Sequence, residues 1–145
     1  MQDLPHHYRV AATAGPEGDV NLAGDELDPI LSAPPPEFGG PGNRWSPETL
    51  LVAAVADCFI LSFRAIARAS KLSWVSLKCE VEGTLERSEG TMKFTAFVVN
   101  ATLAVPKATT EERANRILEK AEASCLITNS LSGATHLNTV VLVAS

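Results

Sequence analysis

The sequence predicts an α+β fold, with two main helices packed on an antiparallel sheet in the order β-β-α-β-β-α-β. Three observations predict it. Residues 50 to 63 form an almost unbroken apolar run behind a helix-start signal. Residues 74 to 87 and 92 to 105 alternate apolar and polar side chains around a short turn. Beyond Pro106 comes an amphipathic stretch at helical spacing, and then a last alternating segment.

Taken in order, "YRVAATA" (8–14) and "DVNLAG" (19–24) flank the turn signal "GPEG" and predict a hairpin. Residues 28–44, "DPILSAPPPEFGGPGNR", hold five prolines and three glycines, which predicts an ordered surface loop rather than an element. In "SPE" (46–48), Ser46 can cap free amides, Pro47 suits the first helical position, and Glu48 meets the positive end of the helix dipole. The helix that follows is apolar all round to Phe63, so it should be buried, and it should end near Leu72. "WVSLKCEVEGTLER" and "MKFTAFVVNATLAV" read as two long strands joined at "SEG". "TTEERANRILEKAEASC" has a threonine cap, early acids and a stripe at 114, 117, 118, 121 and 125, with Cys125 ending the buried face. "HLNTVVLVA" (136–144) reads as the final strand.

At 145 residues the chain is the size of one domain, 1–145. A net charge of −5 offers no basic patch for nucleic acid or an anionic membrane. The start "MQDLPHHYRV" lacks the pattern of a signal peptide, and no apolar run approaches the ~18 residues of a membrane span. A cytoplasmic protein without nucleic-acid or membrane partners is therefore expected. Cys58, Cys79 and Cys125 have no C-x-x-C spacing, so neither a disulfide scaffold nor a zinc ribbon is indicated. In a reducing compartment such thiols are catalytic or simply buried. His6 and His7 are adjacent, so on a strand they point to opposite faces, which disfavours a metal site shared with His136.

Cys79 lies in a strand and reads as structural, while Cys58 and Cys125 lie on helical faces. An acid, Glu48, stands ten residues before Cys58, and Cys125 is followed by "LITNSL". At these residues, "SPETLLVAAVADCF" and "KAEASCLITNSL", the sequence resembles the OsmC/Ohr family of osmotically inducible and organic hydroperoxide resistance proteins, and the likeness spans essentially the whole chain. The resemblance implies a thiol peroxidase acting on organic hydroperoxides. Cys58 would attack the peroxide, Cys125 would resolve the product as a disulfide, and Glu48 would be the acid of the site. It also implies an intertwined homodimer and a dithiol reductant such as dihydrolipoamide, with no metal, haem or flavin cofactor.

This chain departs from the family pattern twice. Leu126 follows Cys125 where the family usually has proline, and "AATAGPEGDVNLAG" lacks the arginine that pairs with the acid and steadies the thiolate. Arg44, in "GPGNRWSPE", is the nearest replacement, with Arg9 and Arg64 behind it. A cation is expected because burial raises a thiol's pKa and Cys58 sits mid-helix, away from the favourable end of its dipole. Ten residues at ~1.5 Å each put Glu48 roughly 15 Å from Cys58 along one helix, so both can serve one site only if Glu48 acts from a second subunit. Two alternatives use the same residues: a redox sensor or binding protein with a thiol switch, and a structural relative without activity.

Overall fold

The computed structural model describes residues 2–145. The chain divides into two compact units, one up to Leu51 and the other Val52–Ser145.

In the first unit, β1 (Ala11–Thr13), β2 (Val20–Ala23) and β3 (Ile30–Ser32) form a three-stranded antiparallel sheet in that order. The expected hairpin is present, with Ala11 opposite Ala23 and Thr13 opposite Asn21. The expected loop 28–44 needs correction, because Ile30–Ser32 pairs with β2 and Pro36–Phe38 forms a 3-10 turn. Prolines forbid a long element, but a three-residue edge strand fits between Pro29 and Pro34. Gly40 is required here, since a Cβ would lie 1.6 Å from the Pro34 carbonyl oxygen. Helix α1 (Pro47–Ala69) starts as expected. Ser46 Oγ accepts from the Thr49 amide at 3.1 Å while the Ser46 amide donates to Thr49 Oγ1 at 2.8 Å, a reciprocal cap.

In the second unit, α1 buries Val55, Phe59, Phe63 and Ala67, one residue per turn, while Leu61 stays half exposed. The all-round burial expected of this helix is thus only one stripe within the single chain. Phe63 packs edge-to-face on Trp74 at 5.2 Å. Three residues earlier than expected, α1 stops at Ala69: Lys71 takes the left-handed conformation (φ 55°), and the Leu72 amide returns to the Ala67 carbonyl. With lysine in place of glycine at that position, the sequence carries no stop signal. By length and composition α1 could cross a membrane, which corrects the expectation of no such run. The stripe facing the core gives its apolar residues another purpose.

Strands β4 (Ser76–Ser88) and β5 (Thr91–Val105) pair antiparallel through the two-residue turn Glu89–Gly90, both with positive φ. Phe97, Val99, Ala101, Leu103 and Val105 alternate into the core. Gly83 lies beneath α1, where a Cβ would come within 2.9 Å of Val52 Cγ2. Helix α2 (Glu111–Ala123) is capped by Thr110 Oγ1, which accepts from the Arg113 amide, and it buries Ala114, Ile117, Leu118 and Ala121. A short α3 (Leu126–Asn129) precedes β6 (Ala134–Val143). The antiparallel sheet expected from the sequence holds for β4–β5, but β6 runs parallel to β5. The chain crosses back through α2 before entering β6, and a helical crossover delivers a strand in the original direction.

Candidate active site at the paired cysteines

Cys58 is half-buried in the middle of α1 and Cys125 is buried. One turn beyond Cys58, Ser62 Oγ stands 3.9 Å from its sulfur. Cys125 was expected to end the buried face of α2, but α2 stops at Ala123 and Cys125 occupies the cap position before α3, with extended backbone (φ −66°, ψ 108°). The corner that holds it is tightly bonded. The Cys125 amide donates to the Glu122 carbonyl, the Cys125 carbonyl accepts from Asn129 N and Thr128 Oγ1, and Asn129 Nδ2 donates to the Ala123 carbonyl.

This corner brings the two thiols together. Burial raises the Cys58 pKa, but hydrogen bonds from the Ile127 amide, the Cys125 thiol, the Ser62 hydroxyl and the Leu126 amide outweigh it and hold the thiol below its ordinary value. All four donors are neutral. The cation expected from the sequence is thus not what lowers this thiol, and although Cys58 is mid-helix in α1, it meets the free amides that open α3. Leucine at 126 matters for this reason, because a proline there would have no N–H to give.

Cys58 also borders a cavity of about 470 Å³ lined by Ala54, Leu61, Ala65, Leu126 and Ile127, with Asp57 at its edge. Sequence reasoning missed Ser62, Leu126 and Ile127 as neighbours of the thiol. The spacing of Ser62, four residues after Cys58, could have found it. A four-residue helix is too short to show periodicity, so nothing in "LITN" announced the amides.

Cys79, on β4, is pushed up to about 11 by burial and by the proximity of Cys125, so it keeps its proton at neutral pH. Glu48 and Arg44 lie in the first unit. Glu48 lines an apolar cavity of about 490 Å³ with Val20, Leu22, Phe38 and Leu50, and its Oε1 is buried with no hydrogen-bond partner among the described residues. Arg44 Nε pairs with Asp19 Oδ2 at 3.0 Å, in the hairpin, rather than with Glu48. His6 bonds to the Gln2 carbonyl, and His136 is on the exposed face of β6.

The OsmC-like protein family matches residues 40–140, more than two thirds of the sequence. The chain belongs to the OsmC-like family. It is 26% identical over 136 residues to the uncharacterized protein YmaD of Bacillus subtilis, covering 91% of this chain and 90% of that one. It is 31% identical over 125 residues to the organic hydroperoxide resistance protein of Xanthomonas axonopodis pv. citri, covering 84% of each. The fold is that of an OsmC-like protein of unknown function from Vibrio cholerae, with a TM-score of 0.86 at 18% identity over 94% of this chain and all of that one.

Proposed function

We propose that this OsmC-like chain is a dithiol-dependent peroxidase of organic hydroperoxides. The observation that carries the reading is the placement of Cys58 between an apolar cavity and four neutral donors, one of which is a second thiol. The Cys58 thiolate attacks the distal peroxide oxygen, the O–O bond breaks, and the alkoxide leaves and takes a proton as the alcohol. Cys58 is then a sulfenic acid. Cys125 attacks that sulfur, hydroxide leaves and is protonated to water, and a Cys58–Cys125 disulfide forms. An external dithiol reduces it through a mixed disulfide and is itself oxidised. Residues 1–145 act as one functional domain in a cytoplasm that keeps thiols reduced.

The same proposal includes a homodimer. The half-exposed flank of α1 at Leu61 and the unpartnered Glu48 oxygen both call for a covering surface, and a second copy supplies it. In that assembly Glu48 serves the site of the second copy, and Arg44 stays with Asp19 as a support for the loop that precedes Glu48.

The test is intact-mass analysis after one equivalent of cumene hydroperoxide, alongside steady-state consumption with excess dithiol. Wild type should lose two hydrogens as the disulfide forms. Cys125→Ser should gain one oxygen on Cys58 and stop after one turnover, Cys58→Ser should consume no peroxide, and Cys79→Ser should behave as wild type. A disulfide that includes Cys79 would overturn these assignments. Stoichiometric oxidation of wild type without turnover in excess dithiol would instead identify a sensor.

A further inference from the structure

An acid in the middle of an apolar helix requires an explanation. Asp57 borders the Cys58 cavity, and among the eight residues that line the cavity it alone carries a charge. Its neighbours three and four positions away, Ala53, Ala54, Ile60 and Leu61, cannot neutralise it, and it makes no salt bridge among the described residues. Nor does it cap or anchor the helix, since ten residues of α1 precede it. An aspartate also costs helix propensity relative to alanine, so it weakens the element that holds it. Asp57 is exposed, and it lines the same cavity as the Cys58 sulfur.

We propose that Asp57 is a charge filter at the edge of the Cys58 cavity, so that the site takes neutral hydroperoxides and turns away those with an anionic group close to the peroxide. The proposal rests on the peroxidase reading and names its substrate class. An apolar wall gives a neutral alkyl group a place to bury, whereas a carboxylate in the same place loses water and meets a like charge at short range. Both effects act on the approaching molecule and leave the thiolate fraction out of the comparison.

Iodoacetamide and iodoacetate provide the test, because they have nearly the same size and differ by one charge. The rates at which each alkylates Cys58 are read by peptide mass mapping, and their ratio cancels any change in the Cys58 thiolate population. Wild type should favour the amide strongly. Asp57→Asn should lower the amide-to-acetate ratio about fivefold, and Asp57→Glu should restore most of it. In wild type the ratio should also shrink as salt rises from ~0.01 M to ~1 M, a reading that needs no variant to fold. A ratio that stays within about twofold in Asp57→Asn, or that is flat with salt in wild type, overturns the filter. If cumene hydroperoxide leaves no sulfenic acid on Cys58 of the Cys125→Ser variant, the peroxidase reading itself fails and the substrate class fails with it, whatever the alkylation ratio.

Discussion

Two cavities of nearly equal size, about 470 and about 490 Å³, hold a thiol and a carboxylate in opposite conditions. Beside the first, donors from the same chain hold the Cys58 thiol below its ordinary pKa. Beside the second, Glu48 has a buried oxygen with no partner among the described residues. A buried polar atom left unpaired costs about 1–3 kcal/mol. The groups that lower the thiol's pKa therefore all come from one chain, whereas the Glu48 oxygen finds no partner among the described residues. The contrast is between a thiol with partners in Val52–Ser145 and a carboxylate oxygen without one in the unit that ends at Leu51.

The largest effect that would sharpen this comparison is substrate preference at the thiol pocket. Each methylene buried against Leu61, Ala65 or Ile127 is worth on the order of 0.8 kcal/mol. Hydrogen peroxide has none to bury. A few methylenes should favour cumene or lipid hydroperoxide by one or two orders of magnitude in kcat/KM, since ~1.4 kcal/mol is tenfold. Steady-state rates for both peroxides with one dithiol measure it, and equal constants would mean that the cavity is only a gap in the core.

The carboxylate pocket predicts a smaller effect with a decisive sign. If a second copy pairs with the buried Glu48 oxygen, Glu48→Gln removes a charged hydrogen bond and should weaken the dimer by about 1.5–3 kcal/mol, roughly tenfold or more in dissociation constant. Sedimentation equilibrium reads that constant. A variant that is more stable, with unchanged association, would show that the carboxylate is unpaired in the dimer too.

The smallest effect returns to the thiol. Leu126→Pro deletes one N–H that lowers the Cys58 pKa, so the thiolate should form at higher pH and the rising limb of the pH–rate profile should move upward. A thiol whose folded pKa is depressed stabilises the folded chain above its unfolded pKa, and that contribution is lost as pH falls through the folded value. The variant should therefore also lose alkaline stability relative to wild type. An unmoved limb would mean that the amides of α3 do not reach the reacting sulfur.

The elements were legible where local chemistry sufficed. Ser46, Pro47 and Glu48 marked the start of α1, Thr110 marked the start of α2, and Glu89–Gly90 marked the hairpin turn. What escaped was short or non-local: a three-residue strand between prolines, a four-residue helix, and an α1 ending on a left-handed lysine. Such pieces bury too little of their own surface to leave a periodic pattern.

The sequence by itself determined the α+β class, the order of its main helices and long strands, and the family to which the segments around Cys58 and Cys125 point. Hydrophobic period and capping chemistry act over a few residues, so they are written in the chain order. The tertiary structure alone decided that Cys58 meets Cys125 and the amides of Leu126 and Ile127, sixty-odd residues away, that neutral donors lower the thiol, and that Arg44 pairs with Asp19. It also decided that β6 lies parallel to β5. A hydrogen bond depends on ångström distances between groups far apart in sequence, and only the packed chain sets those distances.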